Sequence, residues 1–202
     1  IAVFGDYDVD GITSIAILYK HLREMGIDAA YYVPDRMQEG YGVNKDALDK
    51  IRANGTSLII TVDTGITAVE ESEYAKEIGL DVIVTDHHEC KERIPAVYAA
   101  IDPKRKDCPY PFKSLAGVGV VFKLIQALDE RKSLPDLMDK YADLMCLGTV
   151  ADISPLIDEN RVIVTEGLKR FKTTENVGLK ALIDVSTNGK AITTSTIGYT
   201  IA

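Results

Sequence analysis

Short apolar runs rich in β-branched residues recur along the first half of the chain: IAVF at 1–4, AAYYV at 29–33, SLIITV at 57–62, DVIVT at 81–85 and AVYAAI at 96–101. Runs this short, bounded by Gly, Pro and Asp, predict strands buried on both faces. Between them the apolar period becomes helical. Ile12, Ile15, Ala16, Tyr19 and Leu22 share one face until Gly26 ends the pattern, and His21, which falls off that stripe, is expected at the surface. Asn44 caps a second helix over 44–53, and TAVEESEYAKEI at 67–78 reads as a third. From Lys113 onward helical spacing dominates, with Leu115, Val118, Phe122, Ile125 and Leu128 in one stripe and Leu137, Tyr141, Leu144 and Met145 in another.

Strands alternating with helices of this length imply right-handed crossovers. The expected fold class is α/β: a mostly parallel sheet of about five strands flanked by helices, followed by a helical C-terminal lobe. Residues 1–112 are the sheet portion and 113–202 the mainly helical portion of one domain. Ile1 already sits inside an expected strand, so the chain is expected to be a fragment of a longer protein.

Hydrophobic content of 46% with 27% charged residues is ordinary for a globular protein. The net charge of −8 argues against a uniformly basic surface that coats nucleic acid. It leaves room for phosphates met through cations, because carboxylates that hold cations make a chain acidic. Cys90, Cys108 and Cys146 are scattered, without the spacing of a zinc site or a disulfide framework, and fit a reducing cytoplasm. No apolar stretch approaches a membrane span, so no membrane association is expected.

The placing of the acids changes the picture most. GDYDVDG follows the first expected strand, Asp63 ends the third in TVDTGI, and Asp86-His87-His88 ends the fourth. In an open parallel sheet, ligands bind beyond the carboxyl ends of the strands. Asp8 and Asp10, two residues apart in an extended or turning segment, are expected to aim at one cation, with Gly11 turning the backbone into the helix. Asp152, where Ser154 and Pro155 end a helical run, is placed to reach across from the helical lobe. The ligand set is then Asp8, Asp10, Asp63, His87 and Asp152. Carboxylates crowded in this way repel unless a cation neutralises them. Mixed oxygen and imidazole donors suit manganese somewhat better than magnesium, and several carboxylates suggest two ions about 3.5–4 Å apart, the arrangement used for displacement at phosphorus. DTG at 63–65 also matches an aspartic-protease signature, but that chemistry needs a second copy in an all-β frame. Cys90 is expected to be a bystander.

GDYDVDG, TVDTGI, VIVTDHH and GTVADISPL stand in the order and spacing of the DHH phosphoesterase superfamily, whose name motif is Asp86-His87-His88. Within it, VPDRMQEGYGVN, AIDPKRKDCPYPFKSLAGVGVVFKL and the closing TSTIGYTIA resemble the RecJ family of single-strand-specific exonucleases. The resemblance implies a two-metal, manganese-favoured phosphodiesterase that hydrolyses single-stranded DNA 5′ to 3′ and releases 5′-mononucleotides in recombination and repair. Single-strand-binding protein and a helicase are the further partners it suggests. By position, Asp8, Asp10, Asp63, His87 and Asp152 match the metal ligands, and His88 matches the histidine that faces the scissile phosphate. Asp63 is the expected bridging carboxylate, and Asp6 and Asp86 are expected to orient ligands from behind. Arg36 and Lys113, with the run Lys104, Arg105 and Lys106, are the candidates for phosphate contacts. Phe4 stands where some superfamily members carry histidine. The chain also ends roughly where such proteins continue into DHH-associated and nucleic-acid-binding domains. Two other readings stay open: a DHH phosphodiesterase on short RNA or cyclic dinucleotides, and a non-catalytic Cdc45-like replication scaffold.

Overall fold

Each apolar run expected to be a strand is one. In the computed structural model, which describes residues 1–187, 189 and 191–202, the strands are β1 (Ala2–Gly5), β2 (Ala30–Tyr32), β3 (Leu58–Val62), β4 (Asp81–Thr85) and β5 (Ala99–Ile101). They form one parallel sheet in the order β2-β1-β3-β4-β5. The chain leaves β1 toward β2 on one side and returns to β3 on the other, so the strand order reverses between β1 and β3.

The period of two divides each strand between two cores. Val3, Ile60 and Val62 pack against α1 (Val9–Glu24) and α4 (Gly117–Leu128), through Ile15, Leu18, Val121 and Phe122. Ala2, Phe4, Ile59, Val82 and Val84 face α2 (Lys45–Ala53) and α3 (Val69–Glu77), through Leu48, Ile51 and Ala75. Each such large side chain stabilises the fold by about 1.5–3 kcal/mol relative to exposure. Phe4 is fully buried and stacks on Tyr32 at 5.6 Å, so that position is committed to the core. The helical lobe comprises α5 (Leu134–Ala151), α6 (Asp158–Arg170) and α7 (Val177–Thr187), followed by helical turns over 194–201. Ser133 and Asp136 form a capping box at the start of α5. A third core, with Cys146, Leu147, Val164, Phe171, Leu179, Ile197 and Ile201, joins these helices. Among the described residues no helix is long and apolar enough to cross a membrane, and the three cysteines are free thiols.

His21 departs from expectation. It is fully buried, with Nδ1 3.1 Å from the Tyr141 hydroxyl. Helix α1 packs against the sheet and against both α4 and α5, so its flank beyond the apolar stripe is covered as well. Burial lowers the His21 pKa and Lys132 and Lys140 lower it further, while Asp129, 3.9 Å from Nε2, acts in the opposite direction. The folded protein therefore keeps His21 neutral where the unfolded chain takes a proton, near pH 6.5. Below that pH the unfolded state binds more protons, and stability falls as pH falls. Urea midpoints at pH 7.5 and 5.5 should drop further in the parent than in His21→Gln. Equal drops would mean that His21 does not contribute to the slope.

Candidate metal centre

The acids and histidines gather at the carboxyl edge of the sheet, around the point where strand order reverses, which is where open α/β sheets place ligands. Asp6 and Asp8 follow β1, Asp10 lies in the first turn of α1, and Asp63 follows β3. Asp86, His87 and His88 follow β4, and Asp152 caps the C-terminus of α5.

The backbone is bent to present them. Asp63 has φ 58, a left-handed conformation that costs an ordinary residue about 1–2 kcal/mol. Its N–H donates to the Thr85 carbonyl at 3.0 Å, and the Thr61 hydroxyl holds the Thr64 carbonyl at 2.8 Å. Glycines make room around the carboxylates. A Cβ at Gly117 would lie 2.7 Å from the Asp63 Cβ, and one at Gly148 would lie 2.8 Å from Asp10 Oδ1. Gly11 serves close approach rather than a sharp turn, since a Cβ there would fall 2.5 Å from the Asp6 carbonyl oxygen. Backbone cannot swing aside as a side chain can. Gly11→Ala should therefore cost about 1–3 kcal/mol in urea unfolding and displace Asp6 and Asp8. An unchanged midpoint would show that the loop yields freely.

Asp8 and Asp10 do not converge as a pair. Helix α1 starts at Val9 rather than at Ile12, because the Asp8 carboxylate caps it by accepting the Gly11 N–H at 2.9 Å. The cap and the second helical position then send the two carboxylates in different directions. Asp10 turns to α4, where Oδ2 accepts the Gly117 N–H at 2.6 Å and Oδ1 accepts the Val118 N–H at 2.9 Å. It supplies the cap that Ala116 cannot. Its remaining lone pairs stay available, with His87 Nε2 3.8 Å away.

The potential ligand atoms fall into three groups, each within 4.8 Å: Asp10 with His87 and Asp152, Asp63 with His87 and His88, and Asp6 with Asp8 and Asp63. Asp63 and His87 each belong to two groups, and Asp63 Oδ1 lies 3.0 Å from His87 Nε2. Asp6, expected to orient ligands from behind, has a carboxylate oxygen in one of these groups, and Asp86 has none in any of the three. Its Oδ1 accepts the His87 N–H at 2.7 Å and meets His88 Nδ1 at 2.7 Å, while Oδ2 accepts the Ile66 N–H at 2.8 Å. The remaining His88 nitrogen, Nε2, is 3.3 Å from the Tyr41 hydroxyl. Tyr41 is a neighbour that residue type alone did not reveal; its one signal was its place in the quoted VPDRMQEGYGVN segment. It packs edge-on to Tyr7, and the Arg36 guanidinium lies over the Tyr7 ring at 5.3 Å.

The charge is crowded. Burial, together with the Asp8 charge, pushes Asp63 up to about 9. Burial and then the facing Asp63 hold Asp10 well above the usual carboxylate range, and burial raises Asp6 as well. Burial opposes ionisation of Asp86 most strongly, but the hydrogen bond and charge of His88, together with the Ile66 and His87 N–H groups, outweigh it and lower Asp86, while the Asp86 bond raises His88. Both Asp63 oxygens and His87 Nε2 are buried without a hydrogen-bond partner among the described residues. Acids crowded at this density, with the Asp63 oxygens and an imidazole nitrogen left without hydrogen bonds, fit divalent cations, and the donors that fit are Asp6, Asp8, Asp10, Asp63, His87 and Asp152.

Beside the cluster lies a cleft of about 880 Å³, lined among others by His87, Glu89, Asp152, Lys104, Lys106 and Lys113. Arg105 lines it too, but its guanidinium is spent on Asp107 and the Ala100 carbonyl, which leaves the lysines as its cations. Lys104 pairs with Glu89 at 3.2 Å, and Lys113 donates to the Cys108 carbonyl at 2.7 Å.

The chain is 50% identical, over 204 residues, to the single-stranded-DNA-specific exonuclease RecJ of Bacillus subtilis (strain 168), covering all of this chain and 25% of that protein. It is 40% identical over 214 residues to the RecJ of Salmonella typhimurium, of which it covers 37%. The chain thus spans about a quarter to two-fifths of the length of these relatives. A crystal structure of exonuclease RecJ bound to manganese matches 98% of the chain and 50% of its own length, with a TM-score of 0.87 and 37% identity. Residues 1–149 match the DHH family's N-terminal domain, and the chain belongs to that family.

Proposed function

We propose that this chain is the catalytic core of a metal-dependent phosphodiesterase that hydrolyses single-stranded DNA 5′ to 3′ and releases 5′-mononucleotides, in recombination and repair. The observation that carries the reading is the gathering of acids around Asp63 and His87, whose buried carboxylate oxygens and Nε2 make no hydrogen bond among the described residues, in a chain similar along its whole length to single-strand exonucleases. Asp10, His87 and Asp152 would hold one divalent ion, and Asp6 and Asp8 another, with Asp63 between them. Manganese suits this mixture of carboxylate and imidazole, and magnesium is the alternative. Such ions supply positive charge against phosphate oxygens and acidify bound water.

The protein's own groups do the rest. Asp86 accepts from His88 Nδ1 and so presents Nε2, which donates to a phosphate oxygen when the ring is charged. Lys104, Lys106 and Lys113 on one side of the cluster, and Arg36 on the other, would hold the strand by its phosphates. Further domains, such as the DHH-associated and nucleic-acid-binding modules that the sequence suggests, would extend that grip. Single-strand-binding protein, a helicase and a cytoplasmic location complete the reading.

The experiment is manganese-dependent release of mononucleotide from 5′-phosphorylated single-stranded DNA, short RNA and cyclic dinucleotides by the full-length protein. DNA should be degraded fastest, from its 5′ end. Faster turnover of either other substrate would move the assignment to another DHH phosphodiesterase. Absence of turnover on all three would favour a Cdc45-like scaffold.

A further inference from the structure

Ile153, directly after Asp152, combines two features that rarely coexist. It has φ 59, where a β-branched side chain is strained, and its side chain is 88% exposed. The position is the one just past the α5 cap, which glycine fills most readily. Neither core packing nor capping calls for isoleucine there.

The surrounding loop is fixed firmly enough to hold the strain. The Ile153 N–H donates to the Val150 carbonyl at 3.2 Å, and the Ser154 hydroxyl donates to Asp152 Oδ2 at 2.6 Å. Fully buried Asn160 donates from one amide to the Pro155 carbonyl at 3.0 Å and the Ser114 carbonyl at 2.5 Å. It ties the Asp152–Pro155 lip of the cleft to the lip that bears Lys113. Ile153 is thus an exposed apolar knob on a fixed loop, lining with Lys104, Lys106 and Lys113 the same cleft as His87.

We propose that Ile153 is a substrate-binding residue whose side chain packs against the base and sugar of a nucleotide whose phosphate lies on these lysines. The inference rests on the nuclease reading above. A nucleotide in this cleft has anionic and apolar faces: the lysines meet the first, and Ile153 is the large aliphatic group in position for the second. An aliphatic contact makes no hydrogen bonds to base edges, so it grips every base and discriminates none.

The test uses the full-length protein as parent, Ile153→Gly and Ile153→Asn, the last two being residues that adopt this conformation readily. Affinity is measured, with calcium in place of manganese to limit cleavage, for a 5′-phosphorylated single strand and for the same strand made abasic in the nucleotides next to its 5′ end. Both variants should bind the ordinary strand about fivefold more weakly while the abasic strand binds equally to all three proteins, so the preference for bases shrinks by that factor. Ile153→Gly should also melt higher than the parent, because strain is relieved. An unchanged preference for bases would overturn the inference and leave the nuclease reading intact. A lower melting temperature in both variants would overturn it too, by showing that the rest of the full-length chain buries Ile153. A parent that fails to degrade the ordinary strand in manganese would overturn the nuclease reading itself.

Discussion

Asp63→Asn should remove nearly all manganese dependence from this protein while making its metal-free form more stable. Asparagine is close in shape and tolerates the left-handed conformation at φ 58, so the substitution isolates charge. In the metal-free parent, both Asp63 oxygens are buried without a hydrogen bond among the described residues, although Oδ1 lies 3.0 Å from His87 Nε2, and burial and neighbouring acids push the group up to about 9. The amide relieves that crowding, and the metal-free variant should melt several degrees higher. Manganese at about a hundred times its dissociation constant stabilises the folded parent by about 2.7 kcal/mol. For a chain of this length that corresponds to a rise of roughly 5–10 °C. The variant should show little of that rise, and its turnover should fall beyond the tenfold to hundredfold that loss of a ligand-orienting partner costs. Thermal unfolding with and without manganese reads both effects. A full manganese shift in Asp63→Asn would take Asp63 out of the metal shell.

The adjacent histidines should separate by role. His87 is buried, with Nε2 facing Asp10, Asp63 and Asp152 at 3.0–3.8 Å, so His87→Ala should lose manganese affinity and turnover together. His88 is half exposed, with Nδ1 held by Asp86. His88→Ala should keep the manganese-induced rise in melting temperature and lose turnover by on the order of a hundredfold, as expected for a group that acts on the reacting phosphate. Calorimetric titration of manganese beside single-turnover hydrolysis distinguishes the two. Equal loss of manganese affinity in both variants would instead make the Asp63, His87 and His88 group a metal site of its own.

The signals written into local spacing were legible. Apolar runs marked every strand, and the acids behind three of them marked the edge where ligands bind, because a strand's end fixes where the next residues point whatever the rest of the chain does. Asn44 was readable as a helix cap for the same reason, since a cap acts within one turn.

What stayed hidden depended on elements distant in sequence. His21 looked solvent-facing because one apolar stripe shows one buried face, and only the packing of α4 and α5 over α1 covers the other. Asp8 and Asp10 looked like partners because the start of α1 was placed at the first apolar residue rather than at its cap. The capping of α4 by Asp10, the clearance that Gly117 and Gly148 leave for the carboxylates, and the approach of Tyr41 to His88 each join segments dozens of residues apart.

The sequence by itself determined the strand and helix periods, the sheet class, and which acids and histidines share an edge, since these follow from side-chain alternation and turn chemistry along the chain. The tertiary structure alone decided which carboxylates face one another, which lysines share the cleft with His87, and where strain collects at Asp63 and Ile153. Those outcomes depend on the crossing of separate elements, and on how far each backbone must bend for them to meet.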